Sequence, residues 1–73
     1  MAQEIIEVPI TGKVLSIEVS EGDTVAEGDV ICFVESMKME NPIVSPVAGK
    51  VTEIKVSKGE AVEVGSVIAT IDY

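Results

Sequence analysis

The stretch PITGKVLSIEVSEGDTVAEGDVI, Pro9 to Ile31, returns as PVAGKVTEIKVSKGEAVEVGSVI, Pro46 to Ile68, in a chain of 73 residues. Self-similarity on this scale is the mark of one structural unit used twice. Residues 2–36 and 39–73 overlay without a gap, pairing Pro9 with Pro46, Gly12 with Gly49, Val14 with Val51, Gly22 with Gly59, Val25 with Val62 and Gly28 with Gly65. The glycines fall where the chain turns, at positions that call for a positive φ or for close approach of two backbones.

Each half reads as four short strands. The first covers about Glu4–Val8 and Met39–Ser45, followed by a Pro-x-x-Gly turn. An alternating strand comes next, Val14–Val19 and Val51–Val56, and then a Gly-acidic turn. A very short strand surrounds Val25 or Val62, and a second glycine turn leads into Val30–Val34 or Val67–Ile71. Val and Ile dominate the apolar residues and Phe33 and Tyr73 are the aromatic ones, a composition suited to strands. Two units too small to bury their own apolar faces pack against each other, so the expected fold is all-β, a flattened β-sandwich or barrel with pseudo-twofold symmetry.

The repeat also predicts which face of the final strand is buried. Phe33 overlays Thr70 and Glu35 overlays Asp72, marking the outer face, so Val30, Cys32 and Val34 are expected to point inward together with Val67, Ala69 and Ile71.

Composition narrows the function. A chain of 73 residues is one domain with a small core. It has no histidine, which excludes Ser-His-Asp and Cys-His catalysis and deprives zinc of its usual nitrogen ligand. The single cysteine, Cys32, can form no internal disulfide, and its apolar neighbours make it a core residue. A net charge of −8 argues against nucleic acid and anionic membranes and for protein partners with basic docking surfaces. No apolar run is long enough to span a bilayer. The start Met1-Ala2-Gln3-Glu4 has neither the basic nor the apolar region of a signal peptide, so a soluble, cytoplasmic chain is expected. A chain this short builds no deep cleft, and an enzyme is not expected.

Where the two halves meet stands Glu35-Ser36-Met37-Lys38-Met39-Glu40-Asn41. Apolar strands on both sides make it a hairpin turn. Two-residue hairpin turns favour Asn-Gly or Asp-Gly, because both central residues need φ > 0, and Met37-Lys38 is a poor choice on that ground. Alone, Met-Lys-Met would suit an ordinary loop-tip lysine beside the edge of a core. At the junction of two repeats it is the place opposite the chain ends, where a side chain is presented, and turns that break the local rule are where function is expected.

With the Met-Lys-Met tip, the Gly22-Asp23 and Gly28-Asp29 turns leading into it, and the two-half repeat, the whole chain resembles a biotinyl domain of the biotin/lipoyl carrier family. The resemblance implies a flattened barrel of two four-stranded antiparallel sheets, a single carrier domain over residues 1–73, and biotin joined by an amide to Lys38. Met37 and Met39 would flank it and Glu35 would face the biotin protein ligase. The other implied partners are the biotin carboxylase and carboxyltransferase, or decarboxylase, subunits that load and unload a carboxyl group. Neither nucleic acid nor membrane is an expected partner, and the isolated chain is expected to be a monomer. Ser36 stands where many members have alanine. The ungapped repeat leaves no room for the protruding thumb of some acetyl-CoA carboxylase carriers. Two alternatives remain: a lipoyl carrier, whose lysine is usually flanked as Asp-Lys-Ala, and a lipoyl-like interaction module that needs no lysine at the tip.

Overall fold

The computed structural model describes residues 2–73, which form strands β1 (Gln3–Glu7), β2 (Gly12–Ile17), β3 (Thr24–Val25), β4 (Val30–Ser36), β5 (Met39–Val44), β6 (Gly49–Ile54), β7 (Ala61–Val62) and β8 (Val67–Asp72). Every strand expected from the repeat is present. β2 and β6 start earlier than expected, at Gly12 and Gly49, because these glycines already pair with Val62 and Val25.

The strands make two four-stranded antiparallel sheets, ordered β1-β8-β6-β3 and β5-β4-β2-β7. Each sheet takes two strands from each half, so neither half owns a sheet. The turns lock the halves further. The Gly22 N–H donates to the Val51 carbonyl at 2.7 Å and the Val51 N–H to the Asp23 carbonyl at 2.8 Å. The symmetric set joins Gly59 to Val14 at 2.8 Å and Val14 to Glu60 at 2.9 Å. A half alone would leave these backbone groups and half of each sheet unpaired, a cost that only the complete chain avoids.

The turns themselves follow one design. In Ser20-Glu21-Gly22-Asp23 the glycine takes φ 96°, and the Asp23 carboxylate accepts from the Ser20 N–H at 2.9 Å. The sequence Ala26-Glu27-Gly28-Asp29 repeats this with φ 89° and a 2.8 Å bond from the Ala26 N–H to the Asp29 carboxylate. Glu60 and Ser66 close the equivalent turns of the second half from their side chains, at 3.0 and 3.1 Å. The side chain after the glycine thus satisfies the N–H that begins each turn, which explains the Gly-acidic pattern.

The core consists of Val, Ile, Cys32 and Ala69 side chains between the sheets, with Val14, Val34, Val51 and Ile71 at its centre. Here the expected inner face needs correction. Cys32, Val34, Ala69 and Ile71 are buried as expected, but Val30 and Val67 are only half-buried, and Ile31 and Ile68 take the core positions instead. The cause is a pair of bulges. On β4, Val30 pairs with Val44 and Cys32 with Ile43, leaving Ile31 as an extra residue. On β8, Ile68 is the extra residue between the pairs Ile6–Ala69 and Glu7–Val67. A bulge breaks the strict alternation of sides, so Ile31 and Cys32, and likewise Ile68 and Ala69, are buried in succession. Thr70, expected outside, is also buried; its short side chain lies between those of its pairing partners Ile5 on β1 and Glu53 on β6, both longer.

Candidate functional site

The site is the turn between β4 and β5. Their ladder runs from Val30–Val44 up through Val34–Asn41, Glu35–Glu40 and Ser36–Met39, leaving only Met37 and Lys38 to reverse the chain. Both have left-handed backbones, Met37 at φ 54° and Lys38 at φ 64°. They are the only non-glycine residues with positive φ among those described. This is the geometry of a type I′ turn, whose twist matches the strands it joins. A residue carrying a Cβ gives up about 1–2 kcal/mol to sit there. The four glycine turns show that the chain uses glycine where left-handed backbone is needed. At the hairpin tip it does not.

The ladder below holds this turn in place. The Asn41 side-chain amide donates to the Val34 carbonyl at 3.3 Å and to the Met39 carbonyl at 3.2 Å, tying β5 to β4 under the tip. Gly12, on the neighbouring strand β2, lies against the Glu35 carbonyl, and Lys13 pairs with Glu35 in the ladder. The hairpin is therefore held from one side by β2 and internally by Asn41, and only its tip is free.

At the tip the side chains are turned out to solvent. Met37 is 93% exposed and Met39 65%, unusual values for large apolar residues. Lys38 is exposed as well. Among the described residues the one ion pair joins Lys55 to Glu53 at 2.8 Å, so the Lys38 amine is held by no carboxylate. Glu35 and Glu40 are exposed, directly opposed Cα partners, giving the hairpin base an acidic face. Like charges so placed weaken a strand pair slightly.

The arrangement brings together all four residues named from the sequence: Glu35 at the base, Met37 and Lys38 in the turn, Met39 beside it. Sequence reasoning missed the clasp by Asn41, the opposition of Glu40 to Glu35, and the fit of Gly12 under Glu35. Only the last left a signal, since Gly49 repeats Gly12 and lies in the same way against the Asp72 carbonyl. At the equivalent end of the other sheet, Ala2 and Tyr73 exchange backbone hydrogen bonds of 2.8 and 2.9 Å where the hairpin has its turn. Cys32 lies within the core, where burial pushes its thiol up to about 11, far from a reactive thiolate.

Comparison with known proteins bears on this geometry. The model of the family described as biotin-requiring enzyme matches residues 4–71. The γ subunit of glutaconyl-CoA decarboxylase from Acidaminococcus fermentans is 46% identical over 39 residues, which make up 53% of this chain and 27% of that protein. A Mycobacterium leprae protein described as a biotinylated protein TB7.3 homolog is 44% identical over 45 residues, 62% of each chain. In solved structures the fold recurs in the urea carboxylase of Kluyveromyces lactis, with a TM-score of 0.92 and 30% identity over 99% of this chain and 6% of that one. The chain spans less than two thirds of the length of each of these relatives.

Proposed function

We propose, on the premise that this chain belongs to the biotin-requiring enzyme family, that residues 1–73 are one biotinyl domain whose Lys38 carries biotin through an amide bond. The observation that carries this reading is the turn itself: an exposed lysine held by no carboxylate, at a left-handed position that glycine would fill at lower cost.

Attachment needs an amine that a ligase can surround. The two-residue turn projects Lys38 beyond the ladder, and the Asn41 clasp and the β2 support keep the strands beneath it from shifting. The Lys38 Nζ, as the free amine, attacks a biotin carboxyl activated by the ligase; a C–N bond forms, the activating group leaves and the amine gives up a proton. The positive charge at the tip is removed in the process. Met37 and Met39 supply flexible, polarisable contacts that fit more than one partner surface, and the acidic base at Glu35 suits a ligase with a basic face.

Biotin, when bound, supplies a ring that takes up a carboxyl group at one active site and releases it at another. The chain contributes position: a lysine tethered at the tip of a rigid domain meets both sites at an effective concentration on the order of mM. The domain is a carrier and leaves the chemistry to its partners. We infer that these are a biotin carboxylase with a carboxyltransferase or a decarboxylase, and a biotin protein ligase for loading; relatives named as carboxylases and decarboxylases support this kind of partner. The same relatives favour biotin over lipoate.

The test is intact mass after production with biotin and a biotin protein ligase. One biotinyl group per chain is expected, mapped to Lys38, and Lys38→Arg should be folded and unmodified. Biotin found on Lys50 or Lys58, or a lipoyl group in its place, would reject the reading.

A further inference from the structure

The oxidisable sulfur of the described residues is divided sharply between two places. Cys32 is wholly buried and, with its thiol pushed up to about 11, offers almost no thiolate to an oxidant. Met37 stands almost free in solvent and Met39 is about two-thirds exposed, on either side of Lys38. The core between the sheets is built from Val, Ile, Ala69 and Cys32 and contains no methionine, so oxidation of Met37 and Met39 would not disturb its packing. Neither methionine makes a hydrogen bond through its side chain that oxidation would break, and their main-chain positions are fixed by the ladder.

We propose that Met37 and Met39 form a reversible oxidation site, at which peroxide-derived sulfoxides block the reading of Lys38 by the ligase while the fold is untouched. In each case the thioether sulfur attacks one oxygen of hydrogen peroxide. The O–O bond breaks, an S–O bond forms, and water leaves, the sulfur losing two electrons and the peroxide gaining them. The product is polar and chiral where the thioether was apolar and pliable, and such a change disrupts surfaces that methionine packs against. A sulfoxide oxygen on each side of Lys38 would have to be stripped of water when a ligase closes over the tip, and an unpaired buried acceptor weakens binding. Reduction by a methionine sulfoxide reductase with a thiol as electron source restores the thioether.

This inference rests on Lys38 being the biotin acceptor, and the experiment separates the two. The purified, unmodified chain is split into an untreated sample, a sample treated with hydrogen peroxide, and a treated sample then incubated with methionine sulfoxide reductases and dithiothreitol. Peptide mapping should place one oxygen on each of Met37 and Met39 and leave Cys32 unoxidised, and circular dichroism should be unchanged. Biotin incorporation should fall on the order of tenfold after peroxide and return after reduction. An untreated sample that takes no biotin would sink the carrier reading itself. If the untreated sample is biotinylated, the oxidation site is overturned by equal incorporation into the oxidised chain, by loss of the fold on oxidation, or by a loss that reduction does not restore.

Discussion

Gly12 packs against the main-chain carbonyl oxygen of Glu35 so closely that a methyl group at Gly12 would be driven into it, and would also come within 2.9 Å of a Val34 methyl carbon. The contact joins β2 to β4 directly below the hairpin that bears Lys38. It explains why the glycine of each Pro-x-x-Gly turn belongs to a strand: the backbone, with nothing in between, is the packing surface. Gly12→Ala should therefore cost about 1–3 kcal/mol, the range for overpacking. Urea unfolding would measure it, and Gly49→Ala should cost about the same because its surroundings are equivalent. A neutral Gly12→Ala would mean that β4 moves away freely, and the hairpin base could not then be the rigid support described.

Much of this was legible in the sequence because one unit is written twice. Pro9/Pro46 and Gly22/Gly59 fix turns, the valines between them fix strands, and the meeting of the halves fixes the tip at Met37-Lys38. Two features were hidden for a physical reason. Pairing between strands distant in sequence is set by the folded whole, so nothing in the pattern of either half told that each sheet would take strands from both. A bulge adds a residue without changing the residue types, so the shift that buries Ile31 and Ile68 in place of Val30 and Val67 left no mark where Val30-Ile31-Cys32 and Val67-Ile68-Ala69 are all apolar. At the site, the tip and its flanks were readable from residue choice, whereas Glu40 and Asn41 acquire their places only from the β4–β5 register.

Cys32 gives the fold a pH dependence. Burial raises its thiol from 9.0 to about 11. An unfolded chain loses this proton at lower pH than the folded one, so above the unfolded value the folded state binds more protons and stability falls as pH rises. The contribution is fully present below about pH 9 and is lost progressively toward pH 11, with a total on the order of 2 kcal/mol. The measurement compares the chain with Cys32→Ala, each by urea unfolding from pH 8 to pH 11. The variant is expected to be less stable at pH 8, through the space it leaves, and to show a shallower alkaline decline. Parallel declines would remove Cys32 as the cause.

On the proposed reading, Met37 and Met39 are expected to decide which group Lys38 receives, since they stand where the lipoyl alternative would have Asp and Ala. Met37→Asp combined with Met39→Ala should leave the core and the ladder intact, lower biotin incorporation by on the order of tenfold, and admit some lipoyl transfer by a lipoate ligase. Mass spectrometry of both reactions gives the answer. Unchanged biotinylation of the double variant would show that the ligase reads the scaffold and ignores the flanks.

The backbone of Met37 and Lys38 implies a trade between stability and function that can be measured directly. Both residues sit at left-handed φ, and a type I′ turn is best made by Asn-Gly. Replacing Met37-Lys38 by Asn-Gly removes two exposed side chains that touch none of the core, and relieves a backbone cost of about 1–2 kcal/mol at each position. The variant should therefore unfold at higher urea, with a gain of about 1–3 kcal/mol and an unchanged m-value, while losing biotin entirely. Met37→Asn alone separates the two effects. It should recover about half of the stability while retaining the amine, so that any fall in biotinylation measures the methionine as a contact. If Asn-Gly were no more stable than the natural turn, Met37 and Lys38 would not be strained, and their choice at this position would need no functional explanation.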